Sequence, residues 1–160
     1  DAKANGVYQG FFMDQLYDKM EAGETAICTY YAGDFLTMHE NNPDLCYVVP
    51  QEGSNWFVDA MCVLKGAEHK AEAEEWINFI CRTESCLANM DYIWYASPNA
   101  EALEQYPAYY EEKNGEAMDP ALYEVMAAPS GTLANCEAYE NLPADTLSLY
   151  TDLWVELGIG

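Results

Sequence analysis

The residues of this chain best suited to chemistry are an acid set among aromatics: Trp56-Phe57-Val58-Asp59, followed by Ala60-Met61-Cys62-Val63. Read as a strand, the stretch alternates faces, so Phe57 and Asp59 point one way and Trp56 the other. A ring beside a carboxylate is a cradle for an organic cation: the ring offers its π face and the carboxylate a counter-charge. Asp59 is the more telling of the two, because a charge inside an apolar strand is costly unless paired. An edge-strand acid facing water is the plainer alternative. Other aromatics and acids stand at the ends of expected elements, where ligands of open α/β folds bind. They are Tyr30-Tyr31 ahead of Gly33-Asp34, Tyr95 ahead of Pro98, and Glu140 within Tyr139-Glu140-Asn141. Taken singly, a tyrosine in such a place is more often a core or rim residue than a ligand contact.

Other chemistries lack their residues. Neither Gly-x-x-x-x-Gly-Lys-Ser/Thr nor Gly-x-Gly-x-x-Gly occurs, so no phosphate-cradling loop is expected. His39 and His69 sit in polar text without metal-ligand spacing and read as exposed. The acid pairs Glu74-Glu75 and Glu111-Glu112 could be drafted as glycosidase carboxylates, but they read as solvated surface. Cys28, Cys46, Cys62, Cys81, Cys86 and Cys136 form no Cys-x-x-Cys pair. Four have apolar neighbours, so buried thiols are expected ahead of a disulfide or a metal site. No catalytic residue, metal or cofactor is expected.

These residues must be carried by 160 residues, enough for one compact domain, of which 51% are hydrophobic and can supply a core. Asp and Glu number 28 against 6 Lys and Arg, a net charge of −22. Nucleic-acid binding needs clustered cations, and an anionic membrane surface would repel this chain, so neither partner is expected. The field favours cationic ligands; an acidic surface also serves solubility. No stretch is long and apolar enough to span a bilayer. The first residues lack a start methionine and run almost at once into a helix, so the sequence reads as a piece of a longer chain.

Phe12, Leu16 and Met20 recur at helical spacing, closed by Gly23. Residues 25–31 are β-branched and aromatic and read as a strand, broken by Gly33-Asp34, with a short helix through Met38. Residues 45–49 read as a second strand stopped by Pro50, and a loop at 51–55 leads into the strand around Asp59. Residues 71–81 form an amphipathic helix with Ala73, Trp76, Ile77, Ile80 and Cys81 in one stripe. Thr83 caps another through Leu87 and Met90, and a loop at 95–99 precedes a short helix at 100–103. Residues 106–129 read as short helices and loops. Leu147, Tyr150, Leu153, Trp154 and Leu157 give a last helix ending at Gly158. Alternating strands and helices predict an α/β class, with few strands for a doubly wound sheet.

At these residues the chain resembles the substrate-binding proteins of spermidine/putrescine ABC importers. The resemblance is carried by Tyr30-Tyr31-Ala32-Gly33-Asp34, Val48-Val49-Pro50-Gln51-Glu52-Gly53-Ser54-Asn55, Phe57-Val58-Asp59-Ala60-Met61, Trp76-Ile77-Asn78-Phe79 and Tyr95-Ala96-Ser97-Pro98-Asn99. The closing Leu149-Tyr150-x-x-Leu153-Trp154 extends it. It implies an α/β, periplasmic-binding-protein-like (type II) two-lobe fold, of which this is a C-terminal fragment. Residues 1–58 and 104–160 would belong to the second lobe and 59–103 would cross back to the first, with the N-terminal half of the parent absent. It implies a non-enzymatic, extracytoplasmic receptor, anchored through the missing N-terminus, that passes a polyamine to an ABC permease.

The same resemblance makes Tyr31, Phe57 and Tyr95 aromatic walls, Asp59 the acid for an amine, and Glu140 a polar group near the ligand end. Phe57 stands where many members have Trp, Trp94 where a glycine is usual, and Glu140 where some have Gln. A half-protein would also expose apolar surface that favours self-association. A binding protein for another cationic or polar solute, a fragment of an acidic carboxylate-dependent hydrolase, and a ligand-free interaction module are the competing readings.

Overall fold

Helix α2, Ala32–Asn41, is the element on which the buried core is assembled. The protein is described here by a computed structural model covering residues 2–128 and 131–158. Tyr31 is extended and caps α2, and its carbonyl accepts from the Phe35 amide at 3.0 Å. Phe35, Leu36 and Met38 then enter the core at helical spacing. They meet Cys86, Leu87 and Met90 of α4 (Thr83–Ile93), Trp94 at its end, and Ala102 and Tyr106 of α5 (Ala100–Asn114). Met126 of α6 (Pro120–Ala127) and Met118 ahead of it close the cluster. Fully burying a Leu or Met side chain stabilises by about 1.5–3 kcal/mol, so Leu36 and Met90 are principal contributors. Helix α1 (Gln15–Glu21) packs against α2, and Asn42 Nδ2 donates to the Glu21 carbonyl at 2.9 Å, tying the two helix ends together.

Helix α5 runs 15 residues although Pro107 lies inside it. Proline has no N–H to give the carbonyl four residues back, which is that of Leu103. The Tyr123 hydroxyl of α6 donates to this carbonyl at 2.7 Å and fills the vacancy. Asn99 caps the other end, its Oδ1 accepting from the Ala102 amide at 3.1 Å, and Gly115 at φ +77° stops the helix. These contacts explain why the expected short helix at 100–103 continues through 114. Residue 129, the last of the expected helix-and-loop stretch, lies outside the described residues.

The sheet has two parallel strands, β1 (Ser54–Trp56) and β2 (Cys136–Ala138), with Trp56 opposite Ala138. Gly53 precedes β1 at φ +105°, where a Cβ would fall 2.1 Å from the Asn135 backbone oxygen. Only glycine fits both the dihedral and the approach. The expected strands at 25–31 and 45–49 are irregular chain, with no ladder partner among the described residues. The strand expected around Asp59 ends at Trp56. The architecture is mixed, mostly helical, with this small parallel sheet.

Helix α3 (Lys70–Ile80) forms as its periodicity predicts, but no residue of it is buried and Trp76 is 59% exposed. Helix α7 (Ala144–Leu157), ending at Gly158, likewise leaves Leu147, Tyr150, Leu153 and Trp154 exposed. The expectation of buried thiols fails for most: Cys86 is buried, Cys28 and Cys136 are half-buried, and Cys46, Cys62 and Cys81 are exposed. Cys86 owes its burial to facing α2 and α5, whereas Cys46 and Cys62 lie in irregular segments. His39 is half-buried rather than exposed, with Nδ1 3.1 Å from the Leu45 carbonyl oxygen. Among the described residues, no helix is long and apolar enough to cross a membrane.

Candidate functional site

Three of the aromatics singled out in the sequence converge. Phe57 lies 5.6 Å from Tyr31, ring centre to ring centre, and 6.5 Å from Tyr95, edge-on to both. Tyr30 adjoins Tyr31 at 5.5 Å. The three rings come from different elements: the cap of α2, the end of β1 and the loop after α4. Edge-on geometry sets the positive rim of one ring against the negative face of another and leaves other faces open. Tyr31 remains 50% exposed and Phe57 43%.

Tyr95 is held most firmly. Its ring lies on the backbone of Gly33, where a Cβ would be 2.1 Å from the ring. Its hydroxyl donates to Asp34 Oδ2 at 3.3 Å. Burial pushes the Tyr95 phenol well above its ordinary value, and the negative charge of Asp34 adds to the shift. Burial, then Asp34 and Asp14, also raises Tyr30. The aromatic group therefore sits in a negative field.

Asp34 was not singled out in the sequence, where Gly33-Asp34 reads as a strand breaker. With α2 beginning at Ala32, Asp34 stands three residues past Tyr31, one helical turn away, in a first turn that favours a negative charge. That spacing was the available signal. Asp59 is exposed, two residues past Phe57 in irregular chain, so strand alternation does not orient the pair. Among the described residues, no Lys, Arg or His forms an ion pair with it.

Glu140 is not part of the aromatic group. It follows β2 and lines a separate cleft of about 630 Å³ with Trp56, Glu137, Tyr139, Leu142 and Tyr150. Both strands run parallel, so Phe57 and Glu140 leave the sheet at the same edge. A hollow on α3, lined by Trp76, Phe79, Glu72 and Glu75, already holds its own cation, Arg82, 5.6 Å from the Phe79 ring centre.

The described lysines near rings, Lys3 and Lys19, lie over Phe11 and Phe12. Among the described residues no Lys, Arg or His pairs with Asp34, Asp59 or Glu140. Nor does any group of three His, Cys, Asp or Glu residues among them suit a metal ion. The arrangement sets open π faces beside the Asp34 carboxylate, a combination able to attract an organic cation.

Residues 2–113 match the family of bacterial extracellular solute-binding proteins. The chain is 28% identical over 120 residues to a putrescine/agmatine-binding protein of Pseudomonas aeruginosa, covering 75% of this chain and 30% of that one. It is 23% identical over 111 residues to the putrescine-binding periplasmic protein PotF of Escherichia coli, covering 66% and 30%. The aligned region thus spans less than a third of either relative. No solved structure matches the chain. The family match takes in Tyr31, Asp34, Phe57, Asp59 and Tyr95, and stops before Glu140.

Proposed function

Because the chain belongs to the bacterial extracellular solute-binding proteins, a family of receptors and not of enzymes, we propose that it captures polyamines, putrescine or spermidine, for an ABC importer. The observation that carries this reading is the meeting of Tyr31, Phe57 and Tyr95 beside Asp34, with which no Lys, Arg or His among the described residues pairs. A polyamine is a run of methylenes with positive amines at intervals. Rings cover the methylenes by apolar contact, and carboxylates take the amines. In a closed cleft each charge-assisted hydrogen bond contributes about 1.5–3 kcal/mol.

In this reading Tyr31, Phe57 and Tyr95 are the walls, and Asp34 and Asp59 the amine partners. Glu140 serves the far end of an extended ligand. The chain is the C-terminal part of a two-lobed receptor of the type II periplasmic-binding-protein kind. Residues 1–58 and 104–160 are assigned to the second lobe and 59–103 to the segment crossing to the first, although α4 of that segment shares one core with α2 and α5. The exposed apolar faces of α3 and α7 are surfaces that the rest of such a receptor would cover. They also favour self-association of the isolated segment. Lobe closure on the ligand is the signal the permease reads, and the receptor works outside the cytoplasmic membrane, anchored ahead of Asp1.

A thermal-shift screen of the full-length protein with putrescine, agmatine, spermidine, amino acids and sugars tests the reading. Ligand at a hundred times its Kd adds about 2.7 kcal/mol of stability. A shift with polyamines alone is expected; a shift only with sugars or acidic amino acids would overturn the assignment.

A further inference from the structure

Tyr95 reaches Gly33 and Asp34 from the residue that ends α4. That residue, Trp94, is left-handed, at φ 57° and ψ 28°, and its amide donates to the Met90 carbonyl at 2.9 Å. A side chain bearing a Cβ is disfavoured there, and glycine or asparagine is the usual occupant. Such a conformation persists where the surroundings fix it. Here they do: the indole is only 8% exposed and lies 6.1 Å from the Tyr110 ring of α5. On the other side of Tyr95 the chain is closed by a turn in which the Asn99 amide donates to Ser97 Oγ at 3.1 Å.

We propose that Trp94 is a positioning residue for Tyr95. Its buried indole locks the left-handed step, and that step sets the direction in which Tyr95 leaves α4. Glycine would adopt the same φ without strain, but it would also visit other dihedrals and let the tyrosine wander. The bulky cap gives up conformational ease and fixes one direction in return. The α4–α5 core is thereby coupled to the aromatic group: what holds Trp94 against Tyr110 also holds Tyr95 on Gly33.

The role of Tyr95 in polyamine binding rests on the function proposed above, so the test has two arms. In the first, 3-fluorotyrosine is placed at position 95 of the full-length protein and its fluorine resonance is followed in Trp94→Gly, Trp94→Phe and Tyr110→Ala. Trp94→Gly and Tyr110→Ala should move the resonance toward that of an exposed tyrosine, and Trp94→Phe should keep it near the wild-type position. An unmoved resonance in folded Trp94→Gly or in Tyr110→Ala would overturn the inference, whatever the ligand. Should Trp94→Gly not fold, Tyr110→Ala, which leaves position 94 untouched, decides.

The second arm measures putrescine affinity. Trp94→Gly should weaken it about tenfold, roughly 1.4 kcal/mol, when Tyr95 is present, and hardly at all in a Tyr95→Ala background. An equal loss in both backgrounds would show that Trp94 does not act through Tyr95. Absence of polyamine affinity in the wild type would sink the functional reading alone, leaving the fluorine result to judge the positioning.

Discussion

Replacing Gly33 by alanine should destabilise the protein while Tyr95 is present and stabilise it once Tyr95 is gone. The added Cβ would lie 2.1 Å from Tyr95 Cε2 and 2.4 Å from Cδ2. Carbon atoms rest at about 3.5–4.0 Å, so the ring must retreat by roughly 1.5 Å. Overpacking of this kind costs about 1–3 kcal/mol. The retreat also strains the Tyr95–Asp34 hydrogen bond, which contributes about 1 kcal/mol at a half-exposed site. Against this, alanine is better than glycine in a helix by about 0.8–1.0 kcal/mol. Position 33 is helical, so that gain is real. The net expectation is a loss of about 1–2 kcal/mol in the native background. With Tyr95→Ala the clash disappears and the propensity gain remains, so Gly33→Ala should then stabilise by about 0.5–1 kcal/mol. Urea unfolding of the four chains, compared at constant m, reads the coupling directly. If Gly33→Ala changes stability with the same sign in both backgrounds, the close approach of ring and helix is not what the glycine serves.

Asp59→Asn should weaken putrescine binding by about tenfold or more, since a charge-assisted hydrogen bond is reduced to a neutral one; calorimetry checks this, and unchanged affinity removes Asp59 from the site. Tyr123→Phe should cost about 1–2 kcal/mol in urea unfolding, because it leaves the Leu103 carbonyl opposite Pro107 unpaired. Tyr106→Phe should be neutral or stabilise by about 1 kcal/mol in the same assay. Tyr106 is 0% exposed and its hydroxyl has no hydrogen-bond partner among the described residues, so the variant removes a buried polar group and keeps the ring.

What the sequence made legible followed the range over which each signal acts. Helices α3, α4 and α7 announce themselves through local periodicity, and Gly158 stops α7 where expected. Strand formation is not local. Residues 25–31 have the composition of a strand, yet no described strand pairs with them, and β-branched text alone satisfies no backbone group. Pro107 misled in the opposite direction: its penalty is offset by a hydroxyl from Tyr123, 16 positions further along the chain, which no local rule anticipates. The same holds for burial. The stripe on α3 was legible, but what covers it was not.

The candidate site divides in the same way. Tyr31, Phe57 and Tyr95 could be selected as aromatics at element ends, and the order and spacing of the motifs around them pointed to the family that residues 2–113 match. Asp34 stayed hidden because its meaning depends on whether α2 starts before or after Gly33. The pairing of Phe57 with Asp59 was drawn from strand alternation, and the strand ends at Trp56, ahead of both. Glu140 was grouped with the aromatics as an acid at an element end and by resemblance, and it lines a cleft of its own beyond β2.

Calorimetric titration of putrescine and spermidine into the full-length protein decides whether it is a polyamine receptor. One polyamine should bind per chain, at micromolar Kd or tighter, about 8 kcal/mol, with an affinity that falls as salt screens the carboxylates. Heats no larger than those of dilution for both polyamines, from protein shown to be folded, would contradict that role.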